Sequence, residues 1–168
     1  FSMDGDAAPL AELDELCRRC DAWLILDEAH SLGVLGPAGA GAWAALASAT
    51  SGRVADSRLA ARVVTGGKAL GVAGAFVVGS RTLREQLVNH ARSFLFTTAP
   101  PPATAGGLLA AIEVCQGLEA ERATLRTMAA DLARRLGRAA PAGAIVPFPA
   151  GSPERALELA RRLEARGL

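Results

Sequence analysis

Apolar and polar positions alternate along the chain with two distinct periods. From Pro9 to Arg19, Leu10, Leu13, Leu16 and Cys17 fall three and four residues apart with charges between them, which predicts an amphipathic helix with proline in its first turn. WLILD, residues 23–27, is instead a continuous apolar run closed by an acid, the pattern of a strand covered on both faces. SLGVLGPAGAGA, residues 31–42, is too glycine-rich for anything but loop and tight turn, and a short helix over 42–47 follows. A polar connection over 50–57 leads to a second strand in ARVVT (61–65), then GGKALG (66–71), then a third strand in GAFVVGS (74–80). Arg81 to His90 reads as helix, Phe94 to Thr97 as extended, and Pro100 to Pro102 as a break. The alanine- and leucine-rich run 103–136 predicts one long helix or two stacked ones. AIVPF, 144–148, is expected to be a strand, and Ser152 with Pro153 to cap a last helix running to about Arg166. Strands alternating with helices imply an α/β fold with a largely parallel sheet.

The composition fits a core-forming domain, or part of one: 51% of the 168 residues are hydrophobic and the net charge is +1. Acidic and basic residues are interspersed, which leaves no electrostatic footprint for nucleic acid. No apolar run is long enough for a membrane span and no signal-peptide pattern opens the chain, so the expected location is the cytoplasm. The chain starts at Phe1 and stops straight after a helical pattern, and it reads as an internal piece of a longer protein. Cys17, Cys20 and Cys115 do not form a disulfide framework, and the CRRC at 17–20 lacks the further ligands of a zinc site.

LDEAH, 26–30, permits two chemistries. A nucleotide-hydrolysing motor would need a phosphate loop ahead of this acidic strand, ending in lysine followed by a hydroxyl residue. The only candidate, TGGKAL, follows the strand and has Ala69 in the hydroxyl position. Of the 18 basic residues a single one is lysine, Lys68. Arginine stays protonated, whereas a lysine amine can lose its proton and condense with a carbonyl. Lys68 lies between strands among Gly66, Gly67 and Gly71, where backbone can come close to a ligand. A lone lysine after one strand and an acid ending another suggest pyridoxal phosphate (PLP), which needs an amine for its aldehyde and a carboxylate for its ring nitrogen. Asp27 suits the second role, since a carboxylate beside a pyridinium is worth roughly 5 kcal/mol at about 3 Å before desolvation. His30 could stack on the ring or bond its phenolic oxygen, or be a buried loop histidine.

FSMDGDAAPL (1–10), LDEAHSLGVLGPAGAG (26–41), VVTGGKALGVAGAFVVGS (63–80) and FTTAPPPA (96–103), in that order, resemble the α-oxoamine synthases among the fold-type I PLP enzymes, and within them the biotin-pathway branch. The resemblance implies an aspartate aminotransferase-like large domain. Residues 1–105 would be its PLP-binding portion, 106–140 a connecting helical region and 141–168 the start of a small C-terminal α/β domain. It further implies that Lys68 bonds the cofactor and moves the Cα proton, that Asp27 pairs with the ring nitrogen, that His30 and Ser2 lie near the phenolic oxygen, and that Thr65 meets the phosphate. Thr98 would reach the phosphate of the neighbouring subunit in a homodimer. The implied reaction is a decarboxylating condensation of L-alanine with pimeloyl-CoA or a pimeloyl carrier protein. Relatives acting on other pairs are 2-amino-3-ketobutyrate CoA ligase, 5-aminolevulinate synthase and serine palmitoyltransferase; the rival of another kind is a truncated, non-catalytic remnant. This chain departs from the family pattern at Gly67, Ala40 and the longer stretch ASATSGRVADS, 47–57.

Overall fold

Three strands form one sheet in the order β1-β2-β3 in the computed structural model, which describes residues 1–50 and 57–168. The expected polar connection and the heart of the longer stretch fall at 51–56, outside the described residues. β1 (Leu24–Asp27) runs parallel to β2 (Leu59–Thr65), with Leu26 opposite Arg62 and Asp27 opposite Val63. β3 (Ala75–Gly79) returns antiparallel, with Thr65 opposite Ala75. The sheet is therefore mixed, and connection length explains it. The link from β1 to β2 contains a helix, α2 (Ala42–Ala49), as a parallel crossover needs. The glycine-rich link 66–74 is shorter than the dozen or so residues of a crossover and can only turn back.

α1 (Leu10–Arg19) packs on β1 and on α2, burying Leu10 and Trp43. Pro9 is its N-cap rather than a residue of its first turn. Cys17 lies half-buried within this helix, while Cys20 is exposed at its end. Burial alternates along β1, and Ile25 is 67% exposed, so the strand expected to be covered on both faces is open on one. Val64, next to the end of β2, is 1% exposed and belongs to the core.

α3 (Arg81–His90) begins where Ser80 Oγ accepts from Leu83 N. The segment expected to be extended, 94–97, instead opens inside a helical turn, α4 (Arg92–Leu95), whose Arg92 guanidinium lies 5.1 Å from the centre of the Phe96 ring. The long apolar run splits into α5 (Pro102–Gln116) and α6 (Glu119–Arg135). Arg122, 3% exposed, makes the corner: it donates to Cys115 O and Gln116 O at the end of α5 and to Glu119 Oε2 at the start of α6. A cation there meets the negative end of the α5 dipole. Arg126 and then Arg122 hold the Glu119 carboxyl below its ordinary range, so this clasp is present above that range and is lost as pH falls through the lowered value.

The Ala144–Phe148 stretch is not a strand. Pro147 and Pro149 remove ladder donors, and the segment lies against Gly5 without pairing. α7 (Pro153–Glu164) closes the chain, with Ser152 Oγ accepting from Arg155 N at 3.3 Å as its cap requires. No helix among the described residues is long and apolar enough to cross a membrane.

One ion pair lies inside this frame. Glu28, 0% exposed, accepts from Arg62 Nε at 3.0 Å. Arg62→Met would leave that carboxylate buried without a counter-charge. The expected loss is about 3 kcal/mol, at the low end of the range for broken buried pairs because other donors to Glu28 remain. A lower urea midpoint with an unchanged m-value checks it.

Candidate active site

β1 ends at Asp27 and the chain turns at once: Asp27 Oδ1 accepts from Ala29 N at 2.8 Å, and Ser31 N and Leu32 N both donate to Glu28 O. This turn presents His30. On the neighbouring strand, β2 ends at Thr65 and the link 66–74 folds on itself, with Gly66 N donating to Gly74 O and Gly71 N to Lys68 O. Thr65 Oγ1 stitches this link by accepting from Gly67 N at 3.3 Å and donating to Gly74 O at 3.4 Å. Because β1 and β2 are parallel neighbours, both turns emerge at the same end of the sheet, where Lys68 Nζ comes within 2.6 Å of His30 Nε2. At that separation one nitrogen must donate and the other accept, so a hydrogen bond joins the amine to the imidazole.

The two turns nest because of one glycine. Gly33 has φ +80°, and a Cβ there would lie 2.7 Å from Ala69 Cβ, beside the lysine. Ser2, Asp27, His30 and Lys68 line a single cleft of about 780 Å³ whose remaining walls are mostly apolar, Leu13 and Ile145 among them. A mostly apolar cleft with a few convergent polar groups is the form that small-molecule and cofactor sites take. Of the six residues expected to serve the site, these four are brought together. Thr65 stands just behind the lysine turn with its hydroxyl engaged in it, and Thr98, exposed on the segment before α5, does not line the cleft.

Glu28, Ser31 and Arg62 had no assigned role in the sequence, yet they build the loop. Both Glu28 oxygens are saturated: Oε2 accepts from Ser31 Oγ and from Ala42 N at 2.8 Å, and Oε1 from Trp43 N at 3.1 Å and Arg62 Nε at 3.0 Å. The signal was there, since an arginine inside an otherwise apolar strand needs a buried partner. Gly41, φ +99°, is the second obligatory glycine, because a Cβ would fall 2.1 Å from Glu28 Oε2. Among the described residues, no cluster of His, Cys, Asp and Glu could hold a metal ion.

The family model for aminotransferase class I and II matches residues 1–168. The chain belongs to this family. A curated member that it resembles is the 8-amino-7-oxononanoate synthase of Cupriavidus pinatubonensis, 45% identical over 179 residues that take in 100% of this chain and 42% of that protein. The chain thus spans about 42% of the length of the curated relatives it matches. Among solved members, the 8-amino-7-oxononanoate synthase of Francisella tularensis aligns with a TM-score of 0.75 at 26% identity, covering 99% of this chain and 49% of that one. A serine palmitoyltransferase from S. paucimobilis, solved with a PLP–myriocin adduct, aligns at TM-score 0.71 and 29% identity, covering 82% of this chain and 34% of that one. The α/β architecture expected from the residues is thereby the fold of this family.

Proposed function

We propose that the whole protein is a PLP-dependent α-oxoamine synthase that condenses L-alanine with pimeloyl-CoA, or with a pimeloyl carrier protein, giving 8-amino-7-oxononanoate, the free thiol carrier and CO₂. The observation that carries this reading is the meeting of Lys68, the chain's single lysine, with His30 in a cleft that Asp27 also lines. The donor set fits PLP: an amine for an aldehyde, a carboxylate for a protonated ring nitrogen, an imidazole for a phenolic oxygen. When bound, that cofactor supplies an electron-withdrawing ring that makes the Cα proton of an attached amino acid removable.

The chain's own residues do the rest. Lys68 would hold the group covalently and, once displaced by the amino acid, is the amine placed to take the Cα proton. His30, in contact with Lys68 Nζ, is placed to share that proton and to keep the amine from swinging away. Asp27, fixed by its bond from Ala29 N, presents negative charge at the end of β1. The apolar walls of the cleft exclude water and accept an alkyl chain. The reading carries with it a homodimer in which Thr98 serves the neighbouring subunit's phosphate, Thr65 as a phosphate contact from behind the lysine, and a cytoplasmic location.

A second reading, serine with a long-chain acyl-CoA, is favoured by the structural likeness to serine palmitoyltransferase. The curated relatives at 45% and 47% identity named for 8-amino-7-oxononanoate favour alanine, as does the TM-score of 0.75 to the solved synthase against 0.71 to the palmitoyltransferase. The test offers the whole protein with PLP each amino acid with each thioester and identifies the amino ketone by mass. Product from alanine and pimeloyl thioester is expected; product only from serine and palmitoyl-CoA, or none from either pair, overturns the proposal.

A further inference from the structure

The carboxylate of Glu28 is sequestered between two residues that the cleft uses. Asp27 precedes it and lines the cleft, and His30 lies two positions beyond, while the Glu28 side chain turns into the interior and is 0% exposed. Four donors from three separate parts of the chain converge on it: Ser31 Oγ, the amides of Ala42 and Trp43, and Arg62 Nε. The two amides are the first of α2, so the carboxylate also sits at the positive end of that helix. Arg62 continues the connection by donating to Ala40 O, which closes the glycine-rich loop onto β2, three positions before Thr65. Gly41 permits this placement, since its bare Cα is what makes room for Glu28 Oε2.

We infer that Glu28, with Arg62 as its counter-ion, is the positioning residue that holds His30 against Lys68. The link is short and physical. Ser31, bonded to the carboxylate, is covalently next to His30, and Arg62 belongs to the strand that leads into the lysine turn. One buried carboxylate therefore ties the loop carrying the imidazole to the strand that leads into the turn carrying the amine. This rests on the reading of Lys68 and His30 as the working pair, but its first test needs no cofactor. Replacing the carboxylate by an amide puts an N–H group among four donors, and the loop must shift to separate them.

The measurement is the imidazole spectrum of His30 in the cofactor-free whole protein grown with isotope-labelled histidine, the signal identified by its loss in His30→Asn. In the parent protein, Lys68→Ala moves the His30 signal, because the amine bonds that ring. In a folded Glu28→Gln protein the His30 signal is expected to be displaced already and to have lost most of its response to Lys68→Ala. An unchanged signal with an unchanged response overturns the proposal. Should Glu28→Gln fail to fold, Ser31→Ala removes only the bond beside His30; the same displacement, smaller, is expected, and none overturns it. On the PLP-loaded protein, kcat of Glu28→Gln is expected to fall roughly 10²-fold, the scale of a reacting group misplaced by about 1 Å, with KM for alanine little changed. A purely architectural glutamate would lower the folded fraction and leave kcat per folded, loaded protein as it was. If the parent protein fails to bind PLP, the functional reading falls while the imidazole result still decides the role of Glu28.

Discussion

Lys68→Ala in the whole protein is expected to abolish covalent retention of PLP: borohydride reduction leaves no cofactor-bearing peptide, whereas the parent protein carries the label on Lys68. The effect should be close to absolute, because among the described residues Lys68 is the only side-chain amine lining the cleft. Turnover should fall by more than the roughly 10²–10⁴-fold typical of losing a general base, since the same amine also holds the cofactor. Added ammonia or a small primary amine, as a base free in solution, should restore a little of the rate without restoring retention. A labelled peptide of unchanged yield in the variant would remove Lys68 from the site altogether.

Asp27→Asn carries the second largest expected effect. The substitution keeps the shape and the oxygen that accepts from Ala29 N, so the turn that presents His30 stays in place. What disappears is the negative charge at the end of β1. With a neutral amide there, a ring nitrogen has no reason to hold its proton, and the site loses the electrostatic stabilisation it would give to charge developing at Cα. The expected consequence is a loss of roughly 10²–10³-fold in kcat, comparable to removing one preorganised charge-stabilising group, together with easier loss of PLP on dialysis. Adduct formation on Lys68 should survive. Near-normal turnover with alanine would show that the ring nitrogen is met by some other group.

The contrast between these two residues and Glu28 explains what could be read from the letters alone. Lys68 stood out by composition and Asp27 by closing an apolar run, both of which are properties of single positions. His30 was legible as a candidate because it follows Asp27 by three residues in the same turn. The helix 81–90 and the cap at Ser152 were legible for the same reason, since a cap acts over three or four residues. The pairing of Glu28 with Arg62 spans 34 positions and depends on the register of two parallel strands. The direction of β3 follows from the reach of a short link, and the failure of 144–148 to form a strand follows from prolines and from what lies beside it. The first two are properties of chain geometry, invisible to a periodicity, whereas Pro147 stands in plain view inside AIVPF.

The nesting of Gly33 against Ala69 bears on substrate scope. Where two loops touch at the distance only a missing side chain allows, that wall offers no more than the Ala69 methyl to trim, and it cannot be built out without parting the imidazole from the amine. An engineer seeking to admit a bulkier amino acid would find the lysine side of the cleft closed to redesign. Another part of the wall, formed by 142–145, is held by no strand ladder and presents Ile145, a side chain that can be shortened. Selectivity would then change by altering residues that take no part in the chemistry.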